Sequence, residues 1–246
     1  MTTDPVVIDL PPGKQLESWN ALIDLHEDVP RGWSLVGGQM VFLWCLERGG
    51  GPARPTDDVD AVLDVRAHPQ ILHEVTQALV ARGFRSDGTT RSGHQHRWVR
   101  GGAVIDVLIP RHLGNKPRLG VGGATTVETP GAQKVLNRTQ SRKIVVDGRA
   151  GAILRPTLLG ALIAKASART VTLDRRRDRH LVDFAVLAML LRPSDIADDL
   201  PLDRRERRRL LSMIGDMRVH PLVWLEMDGV QQALSRLELA TSAGSA

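Results

Sequence analysis

Tyrosine is absent from the 246 residues, phenylalanine occurs 3 times, and aromatic residues make up 3% of the chain. A surface that grips single-stranded nucleic acid by stacking bases on aromatic rings therefore has few platforms to build from. Cysteine occurs once, at Cys45, so no internal disulfide can form. That fits a reducing compartment and excludes a small secreted scaffold held by disulfides. The longest apolar stretch, Leu181 to Leu191, carries Asp183 and falls well short of the ~20 residues a membrane span needs. The N-terminus, MTTDPVVIDLPPGK, lacks the basic start and apolar run of a secretory signal. The expectation is a cytoplasmic protein without a membrane segment.

What is present is an ordinary globular balance, 42% hydrophobic and 25% charged residues. The length suits one large domain or two small ones. The net charge is +5 and the isoelectric point about 10.1, with arginine supplying most of the positive charge. A basic balance favours phosphate-bearing partners, though solubility alone also accounts for it.

The hydrophobic pattern divides the chain in two. Leu16, Trp19, Leu22 and Ile23 recur at helical spacing and predict a first helix, stopped by Pro30 and Gly32. WSLV reads as a short strand, then a Gly-Gly turn opens a buried helix over about Gln39–Glu47. DVDAVLDV alternates acid and aliphatic with the period of a strand. HPQILHEVTQALVARGF is amphipathic and ends at Gly83. HRWV and AVIDVLI suit two strands joined by the turn RGG, and KIVVDGRAGAIL a hairpin about Asp147-Gly148. From Pro156 onward four segments read as helices, and TSAGSA as a frayed tail. The expected fold class is α+β: a mixed β-sheet with flanking helices over residues 1–155, then a helical C-terminal domain over residues 156–246.

Within the first part, the string Arg54-Pro55-Thr56-Asp57-Asp58-Val59-Asp60 puts three aspartates within four positions. Aspartate is depleted from strands, so something must hold this charge. Side chains alternate along a strand, which sets Asp58 and Asp60 on one face, with Val62 farther along it. Paired carboxylates repel unless a cation sits between them, and hard oxygen ligands suit Mg²⁺ held together with substrate phosphates. Asp-x-Asp alone is a weak signal, found also in surface turns and in sugar-nucleotide transferases. Two features strengthen it. Gly37 and Gly38 follow a strand and open a helix, where backbone N–H groups can receive a phosphate. Asp106 interrupts the aliphatic strand AVIDVLIP and needs a partner if buried. On an adjacent strand it would lie ~4.8 Å from the first pair.

The order of these parts, Gly-Gly opening a helix, Arg-x-Thr-x-Asp-x-Asp, then an isolated strand aspartate, resembles the minimal nucleotidyltransferase fold. More narrowly it is similar to the AbiEii-like toxins of bacterial toxin–antitoxin and abortive-infection systems, including the MenT-type tRNA nucleotidyltransferases. The resemblance covers about residues 33–190. It implies that Asp58 and Asp60 hold two Mg²⁺ ions and that Asp106 completes the metal site and helps deprotonate the acceptor hydroxyl. It implies that Gly37, Gly38 and Thr56 meet the triphosphate of an NTP. Gln39 stands beside the glycines where relatives have a hydroxyl residue, so no such contact is assigned to it. Lys165 matches the family's helical lysine, as a phosphate contact or as a stem packed in the core. RHLVDF matches a second motif, with His180 in place of the usual acid and Asp183 retained. Asp183 would orient Lys165, bind the nucleotide, or pair with an arginine. The implied reaction moves NMP from an NTP to the 3′ end of tRNA, as the toxin partner of a cognate antitoxin.

Rival readings are transfer to a small molecule such as an aminoglycoside, transfer to a protein, or a nucleotide-binding module without chemistry. Other motifs are set aside. PPGK lacks the earlier Gly and following hydroxyl of a phosphate loop. His94 and His96 share a strand face without further ligands nearby. Arg97 is within reach of a phosphate. The runs Arg175–Arg179 and Arg204–Arg209 suit either solvated helix faces or an RNA-backbone surface.

Overall fold

The computed structural model describes residues 4–51, 54–113, 118–171, 174, 177–199, 201–220 and 229–242. Arg175 and Arg176 of the first arginine run, and residues 243–246 of the tail, lie outside them.

Strand β1 (Val6–Ile8) leads to helix α1 (Lys14–Asp28), which buries Trp19, Leu22, Ile23 and Leu25 along one stripe. Strand β2 (Trp33–Val36) runs without a break into α2 (Gly37–Arg48), which ends at Gly49 in the left-handed conformation. Strand β3 (Val59–Leu63) is shorter than the alternation suggests. Only these five residues find strand partners, so Asp58 stands in the loop that enters β3. After α3 (Ile71–Ala81) come a two-residue β4 (Arg85–Ser86), β5 (Arg97–Arg100) and β6 (Ala103–Pro110). Then follow β7 (Val127–Thr129), α4 (Ala132–Leu136), β8 (Thr139–Val146) and β9 (Arg149–Pro156). Beyond Pro156 every described element is helical: α5 (Leu158–Ala168), α6 (Arg179–Leu190), α7 (Pro193–Ala197), α8 (Arg204–Val219) and α9 (Val230–Ser242).

The strands form two sheets. The larger has the order β2-β3-β6-β5-β4, with β7 added beside β6. It is mixed: β3 runs parallel to β6, and β2 and β5 run antiparallel to their neighbours. The expected hairpin about Asp147-Gly148 is present, both residues with positive φ (45° and 79°), as a tight hairpin turn requires. It does not join the larger sheet. With β1 it makes a separate three-stranded sheet, β1-β8-β9.

The main apolar cluster joins sheet and helices. Trp19, Trp33 and Trp44 are fully buried beside Phe184 and Leu187 of α6, and Met213 and Leu234 belong to the same cluster. Arg155 is also fully buried, its guanidinium 3.5 Å over the Trp44 ring and paired with Glu47. Helix α8 is anchored at its start. Asp203 accepts from the Arg205 and Glu206 N–H groups, and the Glu206 carboxylate returns to the Asp203 N–H. Glu206 and Asp199 both bind Arg138, which fastens α8 to the α4–β8 turn. Among the described residues no helix is long and apolar enough to cross a membrane.

Candidate active site

The register of the larger sheet sets the site. Asp60 on β3 pairs directly with Asp106 on β6, and Asp106 pairs on its other side with Arg97 on β5. Residues opposite one another across a ladder point to the same face. Two acids and an arginine therefore stand in a row across three strands. Asp58 joins them from the loop: Arg97 Nη2 donates to Asp58 Oδ2 at 3.2 Å. Arg97 also grips Asp106 with two bonds, Nε to Oδ1 at 2.8 Å and Nη2 to Oδ2 at 2.7 Å. Thr56 Oγ1 donates to Asp58 Oδ1 at 3.0 Å and holds the loop acid in place.

These groups line a cavity of about 330 Å³. Gly37, Gly38, Thr56, Asp58, Asp60 and Asp106 all face it, with Lys165 and His180 from the helical segment. Asp60 is half-buried and makes no hydrogen bond or ion pair within the described residues. Burial pushes its carboxyl up to about 7, and the neighbouring Asp106 and Asp58 add to the shift. Among the described residues, Asp60 is thus the one of the three acids that no cation grips, and crowding by Asp106 and Asp58 favours its protonated form.

The Gly-Gly turn is explained by what lies over it. Gly37 has φ 72°, and a Cβ there would sit 1.8 Å from Asp60 Oδ2. A Cβ on Gly38 would sit 2.7 Å from Thr56 Cγ2. Only glycines let the start of α2 approach both side chains. Lys165, buried on α5, donates to the Gly37 carbonyl and to Asp183 Oδ2, both at 2.7 Å. Burial lowers the Lys165 pKa, while the Asp183 charge opposes that change. Burial would raise Asp183, but Lys165 and Arg54 outweigh it and hold its carboxyl below the usual range. Arg54 completes the pair from the loop, Nε to Oδ1 at 3.1 Å and Nη2 to Oδ2 at 3.2 Å.

Asp183 does not line the cavity; it stands behind Lys165 and Arg54 and positions both. Gln39 is fully buried and turned away: its carboxamide accepts from Trp19 and Gln15 and donates to the Thr56 carbonyl. Its role is to tie α1 to the acid loop. Burial, with Lys165 and Arg179 nearby, lowers His180 to about 4, so its ring is neutral at pH 7 and its Nε2 sits 3.3 Å from Asp174. Sequence reasoning put Val62 on the acid face but missed Leu108 and α4, which pack with it as the apolar wall of the cavity. The signal for Leu108 was available: like Val62, it lies two positions beyond an acid on the same face.

Among the described residues, no three His, Cys, Asp or Glu side chains are gathered to close around one ion. Arg97 accounts for this, since its guanidinium occupies the space between Asp58 and Asp106. The donor set nevertheless fits a hard divalent cation. It consists of carboxylate oxygens, includes Asp60 with no hydrogen-bond or ion-pair partner among the described residues, and already holds one cationic group.

No family model matches the chain, and no curated protein matches it. Among solved structures it is similar to an antigenic nucleotidyltransferase-like protein from Paracoccidioides brasiliensis, at 16% identity and a TM-score of 0.54, covering 92% of this chain and 95% of that one. It is also similar to the antibiotic-resistance factor ANT(2'')-Ia, at 13% identity and a TM-score of 0.44, covering 84% of this chain and 98% of that one. The first likeness spans nearly the whole chain and shows a nucleotidyltransferase-like α+β fold. The second, at that score, supports nothing further.

Proposed function

We propose that the protein is a Mg²⁺-dependent nucleotidyltransferase that moves NMP from an NTP to an acceptor hydroxyl. The observation that carries this reading is the convergence of Asp58, Asp60 and Asp106 on one cavity, opposite the Gly37-Gly38 turn at the start of α2. Asp58, Asp60 and Asp106 would hold Mg²⁺, which supplies charge neutralisation for the phosphates and for the oxygens that attack and leave. The chain's own contribution is placement. Gly37 and Gly38 let the start of α2 lie close against Asp60 and Thr56, so that its first N–H groups stand beside the acids where a phosphate would be received. Lys165 fixes the Gly37 carbonyl, and Asp183, itself held by Arg54, fixes Lys165. The wall around Val62 and Leu108 offers an apolar surface to a base or sugar. For a cation to reach these oxygens, Arg97 would have to release Asp58 and Asp106.

In the reaction the acceptor oxygen bonds to the α-phosphorus, the bond to the β-phosphate oxygen breaks, and pyrophosphate leaves. The hydroxyl proton passes to a carboxylate of the acid group, Asp106 by the resemblance. The finer reading follows the AbiEii-like and MenT-type pattern: residues 1–155 act as the transferase domain and residues 156–246 as its helical partner. The acceptor is the 3′ end of tRNA, the setting is the cytoplasm, and a cognate antitoxin restrains the activity.

The test is to incubate the protein with each α-labelled NTP and Mg²⁺, plus total tRNA, aminoglycosides or cell protein. Label on the 3′ end of RNA, lost in Asp106→Asn, is the expected result. Label on an aminoglycoside or on protein moves the acceptor to that class. Bound NTP with label nowhere reduces the protein to a nucleotide-binding module.

A further inference from the structure

Next to the acid cavity the surface turns basic. A second depression, of about 380 Å³, shares Pro130 and Ala132 with the cavity wall. Arg66, Arg111, Lys134, Arg205 and Arg209 line it. Among the described residues its one lining acid, Glu206, is buried and engaged by Arg138 and by the start of α8. A third depression, of about 500 Å³, shares Thr170 and Arg209 with the second and adds Arg169 and Arg208, with Asp216 beside Arg169. Two neighbouring basic depressions therefore form a groove that adjoins the acid cavity across Pro130 and Ala132.

Among the described residues, five of the seven arginines and lysines of this groove have no carboxylate partner, while Arg169 pairs with Asp178 and Asp216. The five without one are Arg66, Arg111, Arg205, Arg208 and Arg209; Lys134 pairs with Asp203. Arg66 is instead held by the carbonyls of Arg111 and His112, at 3.2 and 3.0 Å. His112 takes a left-handed backbone, φ 62°, at the same spot, an uncommon conformation for a residue with a Cβ. Arg209 donates to Ser167 Oγ at 2.8 Å, and burial together with Arg208 and Arg205 lowers its pKa. Arg205 and Arg209 lie four apart on one face of α8, where like charges repel. The capping box and the Arg138 bridges hold that helix in place regardless. Such fixed, crowded positive charge calls for a polyanion.

We propose that this groove binds the phosphodiester backbone of an RNA and delivers its 3′ end past Pro130 into the acid cavity. The inference rests on the transferase reading above and adds to it the surface that selects the acceptor. Recognition runs through phosphates, because among the described residues no Phe or Trp lines either basic depression. A lipid surface suits the site less well, since the groove is concave and leads into a cavity rather than onto a flat apolar face.

The experiment measures binding without chemistry. A fluorescein-labelled RNA hairpin with a single-stranded 3′ tail is titrated with the full chain by fluorescence anisotropy, in EDTA and without NTP, over a range of KCl. Four phosphate contacts give a log–log salt slope of about −3 to −4. The triple variant Arg66→Ala/Arg111→Ala/Arg205→Ala removes exposed side chains only. It is expected to keep its melting temperature, bind at least ~10-fold more weakly, and lose about 2 to 3 from the slope. Unchanged affinity and slope in the triple variant overturn the proposal. So does wild-type binding to phosphatidylserine vesicles with none to the hairpin. Because the assay holds no nucleotide or metal, a failure of the transfer reading leaves its outcome readable. Conversely, undiminished label transfer to RNA by the triple variant removes the groove and leaves the transferase standing.

Discussion

Replacing Asp60 by asparagine should stabilise the folded protein above neutral pH while abolishing transfer. Asparagine keeps the shape of the side chain and removes its charge. In the folded chain the Asp60 carboxyl is pushed from its ordinary 3.8 up to about 7, first by burial and then by Asp106 and Asp58. The folded state therefore binds this proton more tightly than the unfolded chain does. Between about pH 4 and 7 folding takes up a proton, so stability falls as pH rises through that window. Above it the full penalty applies; below it there is none. The whole shift corresponds to about 4 kcal/mol, an upper bound for a carboxylate that faces a water-filled cavity. A gain of about 1–3 kcal/mol for Asp60→Asn at pH 8 is the working expectation. Urea denaturation of both proteins in EDTA, at about pH 4.5 and pH 8, measures it. The two curves should nearly coincide in acid and separate in base, with the variant the more stable. MgCl₂ should then raise the wild-type melting temperature at pH 8 and leave the variant almost unmoved. If Asp60→Asn is no more stable than wild type at pH 8, the charge crowding inferred for the cavity is wrong.

Two further substitutions probe the scaffold behind the acids. Lys165→Met strips one partner from buried Asp183 and leaves Arg54 as its remaining cation. The expected loss is about 3 kcal/mol, the low end for a broken buried pair. The double change Lys165→Met/Asp183→Leu should recover most of it, and a single-variant cost under about 1 kcal/mol in urea melts argues against the network. Gly37→Ala drives a methyl to 1.8 Å from Asp60 Oδ2 at a φ of 72°. It should cost about 1–2 kcal/mol in backbone strain and cut transfer at least ~10-fold. Gly148→Ala meets the same backbone penalty with no atom within 4 Å of its Cβ, so it should lose similar stability and keep activity. Equal activity in both alanine variants sinks the steric argument.

Local pattern was enough for a good part of this architecture. The face that Asp60 shares with Val62, the Gly-Gly pair before a helix, the Asp147-Gly148 turn and the amphipathic helices all reflect interactions within a few residues. The short elements escaped because three residues in β1 and in β7, and five in α4, are too few to establish a period. Strand length was misjudged at Asp58, where alternation continued but pairing did not.

What the linear chain determined by itself was which residues carry charge, which face of each strand they take, and where helices begin. Only the tertiary structure decided that Arg97 lies across Asp106, because that depends on the register of one hairpin. It also decided that Asp183 turns from the cavity toward Lys165 and Arg54, and that the arginines of α8 meet Arg66 and Arg111 in one groove. These contacts join residues far apart in sequence. Their geometry comes from packing the core and satisfying buried charge across the whole molecule, which no short window of residues encodes.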